Sequence, residues 1–246
     1  MQKQQMKFKS STSESGGVSR RELQMRNGDL LSGKEIDVLF KQLEKEFDND
    51  IDTALWYENN YQLLVAVMLS AQMTDAGVNK VTDKLFQVLH QPQDAIQLGF
   101  EKLNQMIKSI NYHNTKAKHI IQMSQQLCDN FNSEVPSNFD DLISLAGVGR
   151  KTANLVMSIA FKKPYIAVDT HVFRVSNRIG LTKATNVVDT ELQLKQRVPL
   201  AKYREINNLL IPFGRTYCKA INPQCKICPM NGICRHKNNA KKTNKK

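Results

Sequence analysis

No run in this chain approaches the ~20 consecutive apolar residues that a membrane-spanning helix requires, and its first twenty residues hold no apolar signal-peptide core. Residues 1–13 contain Lys and Ser without acids, but Glu14 and the lack of arginine before Arg20 weaken a transit-peptide reading. With no export signal the chain is expected inside the cell, where its five cysteines do not form a disulfide framework. No segment alternates apolar and polar residues convincingly, so strands are not expected. Acids are also scarce, 23 against 35 Lys and Arg, for a net charge of +12. The shortage is local. From Lys202 to Lys246 eleven Lys or Arg face one acid, Glu205, a net of +10. Such a basic end suggests a polyanionic partner, although residues 237–246 read at least as well as a solubilising tail.

At 246 residues and 41% hydrophobic content, the chain can fill one large domain or two small lobes. Residues 1–31 are polar and read as a disordered tail. Beyond them, every long segment has helical period. Ser32 and Glu35 form a capping-box pattern ahead of Ile36, Leu39, Phe40, Leu43 and Phe47. Tyr61 to Leu69 is almost wholly apolar, a buried helix. Thr74 or Asp75 is placed to cap a helix through Val78, Val81 and Leu85. Pro92 opens a short helix that Gly99 ends, and Leu103, Ile107 and Ile110 mark another. A long helix runs from Thr115 to about Phe131. Later helices are expected from Asp169 to Gly180, from Asp189 to Val198 and from Tyr203 to Ile211. The fold class is all-α, with about ten helices.

The chain is organised around Leu145-Ala146-Gly147-Val148-Gly149-Arg150-Lys151-Thr152-Ala153-Asn154. A short helix through Phe139 precedes it, with Ser137 as the expected N-cap and Asp140 three residues on. Ala153, Val156, Met157 and Ala160 form one apolar helical face behind it. Gly147 and Gly149 open backbone angles closed to other residues and let a ligand come close. The second helix then begins with free N–H groups and a positive dipole end, a site for phosphate. This helix–hairpin–helix, residues 137–161, suits a nucleic-acid backbone held without base reading. A bare Gly-x-Gly taken alone favours an ordinary tight turn between packed helices, and the neighbouring Lys151 and the features below reverse that order in favour of the binding role.

Cys218, Cys225, Cys228 and Cys234 lie within seventeen residues as Cys-x6-Cys-x2-Cys-x5-Cys, a metal-ligand pattern in an intracellular chain. Zinc ribbons pair two short knuckles across a longer spacer, whereas this compact loop has one Cys-x2-Cys. A single loop around a [4Fe–4S] cluster suits the spacing better than zinc. Lys219, Lys226 and Arg235 stand beside these cysteines, so the pinned loop presents cations to phosphates. Cys128 reads as a small core residue.

Lys151 falls in the first turn of its helix beside Arg150. The helix dipole and the like charge both favour its neutral amine, which can attack a carbonyl-like carbon and form a Schiff base. A charged phosphate-binding lysine is the commoner use of this position. Asp169 stands where an extended segment, Tyr165–Val168, meets a helix. It is placed to be an N-cap, and an ionised carboxylate there can also stabilise an oxocarbenium-like sugar or accept protons.

Taken together and in order, Ser70-Ala71-Gln72-Met73-Thr74-Asp75, the hairpin, Val168-Asp169-Thr170-His171 and the four-cysteine loop resemble the endonuclease III family of helix–hairpin–helix DNA glycosylases. The resemblance covers roughly residues 33–236. It implies two helical lobes, one over 53–163 with the hairpin and one joining 32–52 to 164–236 with the cluster. It also implies a bifunctional DNA glycosylase and AP lyase acting on oxidised pyrimidines and abasic sites in double-stranded DNA, the damaged nucleotide being flipped into a cleft. The family's nucleophile matches Lys151, its catalytic aspartate Asp169, and its cluster ligands the four cysteines. Gln72 belongs to the region that fills the gap left by the flipped base, while Asp75 and His171 lie near the pocket. Gly147, Val148, Gly149, Lys219 and Lys226 are expected to meet the backbone. A monomer is implied, cytoplasmic and nucleoid-associated in a bacterium, nuclear or mitochondrial in a eukaryote.

Two departures stand out. Ala146 replaces the family's usual proline, which should loosen the hairpin entrance. Asn111-Tyr112-His113-Asn114 replaces a Gly-Leu-Tyr-Asn loop, so Tyr112 takes the place of a leucine wedge. The rival readings are an adenine-mismatch glycosylase, which lacks the lysine and carries a longer C-terminal domain, and a non-catalytic iron–sulfur DNA-binding protein.

Overall fold

Ser32 starts the first helix as its sequence pattern indicates. Its backbone N–H reaches Glu35 Oε2 at 2.7 Å and its hydroxyl accepts from the Glu35 N–H at 3.4 Å, a complete capping box. The computed structural model describes residues 30–47 and 53–236. The tails expected over 1–29 and 237–246 lie outside the described residues. Leu30 and Leu31, read from composition as the end of a disordered tail, are instead engaged. Leu31 is 2% exposed and its N–H donates to Gly180 O at 2.8 Å, because an apolar pair can pack where the polar stretch before it cannot.

Ten α-helices and one 3₁₀ turn, with no strand, make up the described residues. They are α1 (Gly33–Glu46), α2 (Asn60–Ser70), α3 (Asp75–Leu85), α4 (Pro92–Met106), α5 (His113–Asn130), α6 (Phe139–Ser144), α7 (Arg150–Ile159), α8 (Thr170–Ile179), α9 (Val187–Arg197) and α10 (Glu205–Thr216), with the 3₁₀ turn at Leu200–Lys202. Gly99, at φ 74, breaks α4 into two pieces, as its sequence suggested. Several boundaries differ from expectation: α5 begins at His113 rather than Thr115, α9 at Val187 rather than Asp189, and α10 at Glu205 rather than Tyr203. The cap of α6 is Asn138, whose side chain accepts from the Asp140 N–H at 2.9 Å, rather than Ser137. The last helix continues past Pro212 to Thr216, because Ile206, Leu209, Leu210 and Phe213 keep one buried face through the proline.

Two hydrophobic clusters hold these helices. One gathers Leu55 through Ile159 around α2, whose residues Tyr61–Leu69 are all buried. The other joins Leu31, Ile36, Leu39, Phe40 and Leu43 of the N-terminal part to Ile166 through Met230. Truncating a leucine at the centre of either core to alanine costs about 2–5 kcal/mol. The chain passes between the cores through the extended segment 165–168. Asn207 grips that segment as a neighbouring strand would, its Nδ2 donating to Ala167 O at 2.6 Å and its Oδ1 accepting from Ala167 N–H at 3.2 Å. No described helix is long and apolar enough to cross a membrane.

Candidate functional site

The hairpin turn is built by Gly147, whose φ of 76 suits glycine. A Cβ there would meet His119 Cβ at 2.7 Å and the Met68 terminal methyl at 2.8 Å, so packing excludes a side chain as firmly as the backbone does. Gly149 differs from the sequence reading. Its φ of −92 is open to any residue, and a Cβ would meet nothing within 4 Å. Glycine is not demanded there by the chain; it leaves bare backbone facing open space at the start of α7. Val148, expected among the contacts, is 6% exposed and its N–H bonds Leu145 O at 3.1 Å. The turn's outward backbone thus comes from the two glycines, whose N–H groups make no hydrogen bond among the described residues. The first-turn N–H groups of α7 have no intrahelical partner either.

Alanine at the entrance makes a contact that a proline could not. The Ala146 N–H, which a proline would lack, donates to Gln126 Oε1 at 2.7 Å, and Gln126 Nε2 reaches Ser144 O at 3.2 Å.

Lys151 is exposed in the first turn of α7. The like charge expected from Arg150 is already answered, since Arg150 makes a two-pronged bond to Glu191 at 2.8 and 2.9 Å. Burial alone would raise the Glu191 carboxyl, but bonds from Arg150 and Lys195 outweigh it and hold the group below its ordinary range. Glu191 was missed in the sequence. A signal existed: it shares the buried face of α9 with Thr190 and Leu194, the latter at i+3.

Asp169 caps α8. Its Oδ1 accepts from the Val172 N–H at 2.7 Å, and its Oδ2 lies 3.2 Å from His171 Nδ1. Both oxygens are thereby oriented. Asp75, the first residue of α3, is 3.7 Å from Arg215 at the end of α10, an exposed pair between the two cores.

Gln72 and Tyr112 are both exposed and both left-handed, at φ 59. Lys116, missed in the sequence, is buried beneath them. Its ammonium donates to Leu69 O at 2.8 Å and Ala71 O at 2.7 Å, satisfying carbonyls at the end of α2. Burial pushes its pKa down.

Cys218, Cys225, Cys228 and Cys234 line one cavity with Ile179, Phe213 and Met230. Among the described residues no three His, Cys, Asp or Glu side chains converge on a single metal ion. Burial, followed by the other three sulfurs, pushes the Cys228 thiol up to about 11, so four bare thiolates would repel one another there. Arg178 braces the loop, donating to Lys219 O at 2.7 Å and Ala220 O at 3.0 Å and lying 3.9 Å from Cys218 Sγ. Lys219 and Lys226 are exposed on it.

A helix–hairpin–helix packed into the first of two all-helical cores points to a class of nucleic-acid repair proteins. Residues 65–200 match that class, and the chain belongs to the HhH-GPD superfamily of base excision DNA repair proteins. It is 42% identical over 207 residues to endonuclease III of Bacillus subtilis (strain 168), across 84% of this chain and 94% of that protein. It is 46% identical over 184 residues to endonuclease III of Rickettsia prowazekii (strain Madrid E), across 75% and 87%. Among solved structures it is similar to a trapped endonuclease III–DNA covalent intermediate in an estranged-adenine complex, at a TM-score of 0.80, 42% identity, and 86% and 100% coverage of the two chains. A non-covalent endonuclease III–DNA complex matches at 0.79, with 41% identity and 87% and 100% coverage.

Proposed function

We propose that this protein is a base-excision-repair DNA glycosylase with AP lyase activity, with Lys151 as its nucleophile. The observation that carries the reading is an exposed lysine in the first turn of a helix that opens on bare glycine backbone, followed by an aspartate fixed as the cap of the next helix, in a chain 42% identical to an endonuclease III trapped covalently on DNA. The partner is double-stranded DNA. The outward glycines and the N-terminal turn of α7 hold a phosphate, and Lys219 and Lys226 add cations beside it.

In the reaction, the damaged base departs with the electron pair of its glycosidic bond and takes up a proton. The Lys151 amine bonds to C1′, and ring opening gives an imine. Asp169, oriented by the Val172 N–H, stabilises the positive charge developing on the sugar and accepts the proton lost by the amine. Removal of a C2′ proton then expels the 3′ phosphate, which cuts the strand on that side. Water finally hydrolyses the imine and frees the lysine. Oxidised pyrimidines are the proposed substrates.

The four cysteines on one apolar cavity fit a [4Fe–4S] cluster. Such a group supplies iron to balance four thiolates, and the loop residues would then present Lys219 and Lys226 from a rigid frame.

The test is incubation with a duplex carrying one thymine glycol. Strand scission at the lesion is expected. Base release without scission points to a monofunctional glycosylase, and binding without either reaction points to a non-catalytic protein.

A further inference from the structure

Glu191 is 3% exposed and is the one buried carboxylate among the described residues. Four bonds converge on it: Arg150 Nε and Nη2, Lys195 Nζ at 2.6 Å, and Asn154 Nδ2 at 3.0 Å. The same Asn154 amide donates to Ile166 O at 2.8 Å, three residues before Asp169. Flanking aromatics complete the grip. The Arg150 guanidinium lies 5.4 Å from the Phe139 ring centre and the Lys195 ammonium 5.5 Å from that of Tyr165, while the two rings stack at 5.6 Å and 8°.

We infer that Glu191 is the positioning residue that aims Lys151, by fixing the rotation of α7 against the segment leading to Asp169. The inference rests on the proposal that Lys151 is the nucleophile. Arg150 and Asn154 are four residues apart and share one face of α7. Two tethers one turn apart on a single face prevent rotation about the helix axis, and Lys151 projects about 100° round from them. A rotation of about 10° moves a side-chain tip lying roughly 8 Å from the axis by more than about 1 Å. A misplacement of about 1 Å costs on the order of 10²-fold in rate. Because Asn154 also holds Ile166, the same centre sets the aspartate's segment against the lysine's helix. A clamp that merely joined the two cores would not need to bind the turn beside Lys151.

The test compares the full-length wild type with Glu191→Gln and Glu191→Asp. Gln keeps the shape but loses the charge, whereas Asp keeps the charge at shorter reach. Three quantities are measured: the single-turnover rate of forming a borohydride-trappable imine on a duplex with a preformed abasic site, the dissociation constant for undamaged duplex, and the melting temperature. The Gln variant should fold and lose about tenfold or more in the imine rate, with affinity within about threefold of wild type, and Asp should recover part of the rate. Imine rates within about twofold of wild type in both variants would overturn the inference, as would a rate that falls only in step with affinity. Peptide mapping of the wild-type cross-link keeps the two claims apart. A link at a residue other than Lys151 removes the nucleophile, and this inference with it, whatever Glu191 does.

Discussion

The side-chain amide of Asn111 donates to the backbone carbonyl of Gln72 at 2.8 Å, joining two exposed left-handed turns 39 residues apart. Tyr112 is thereby held beside Gln72 on a base that Lys116 ties down from below. If Tyr112 stacks into the duplex while Gln72 fills the gap, the bond makes one unit of the two. Stacking on an aromatic contributes about 1–3 kcal/mol per base. Tyr112→Ala should therefore lower cleavage of a damaged duplex by about tenfold, with much less effect on an abasic site in single-stranded DNA. Asn111→Gly should show the same split with a smaller loss. Equal losses on both substrates would count against a wedge.

The cysteine loop is expected to carry colour. Protein purified anaerobically should be yellow-brown and contain about four irons and four labile sulfides per chain. Cys225→Ser should lose both, together with much of the loop's order. Stoichiometric zinc without iron would contradict the cluster.

Much of the fold was legible in the sequence because its signals are local. The Ser32–Glu35 box, the apolar run of α2, the Gly99 break and the Asp169–Gly180 bounds of α8 each depend on a few neighbouring residues, and each appears where those residues put it. The misses share a cause. Glu191, Asn154, Lys116, Asn111 and Gln126 each hold a partner 20 to 47 residues away as well as any nearer one, and helical spacing that marks a buried face does not name such a distant partner. The burial of Val148 and the open space over Gly149 were hidden for the same reason. Both depend on which helices pack around the turn. The stop assigned at Ile211 failed because a buried helical face outweighed one proline.

Phosphate contacts should dominate affinity. The logarithm of the binding constant for undamaged duplex should fall linearly with the logarithm of salt concentration, at about −0.9 per phosphate neutralised. Lys226→Ala, which changes an exposed residue, should reduce that slope by about 0.9 if the loop touches DNA. Removal of residues 237–246 should lower it modestly. An unchanged slope in either case would place that segment off the DNA.

The Glu191 centre should also leave a mark on acid stability. Its carboxyl is held below the ordinary range in the folded chain by Arg150 and Lys195. The stabilisation is therefore complete above the unfolded value of about 4.3 and is lost as pH falls through the lower folded value. Glu191→Gln should cost roughly 1–3 kcal/mol at pH 7. The gap from wild type should close as pH falls below the unfolded value and through the lower folded one. A gap that widens in acid would contradict the linkage.

The central claim is that Lys151 bonds covalently to the damaged nucleotide, and borohydride trapping tests it most directly. Reductant added during turnover on a thymine glycol duplex should join protein to DNA through Lys151, located by peptide mapping. Lys151→Gln should abolish the adduct while duplex binding persists, because backbone N–H groups hold the phosphates. Asp169→Asn should release the base slowly yet still trap a preformed abasic site to some extent. A Lys151→Gln protein that traps as well as wild type would contradict the account and leave a glycosylase in which Asp169 activates water.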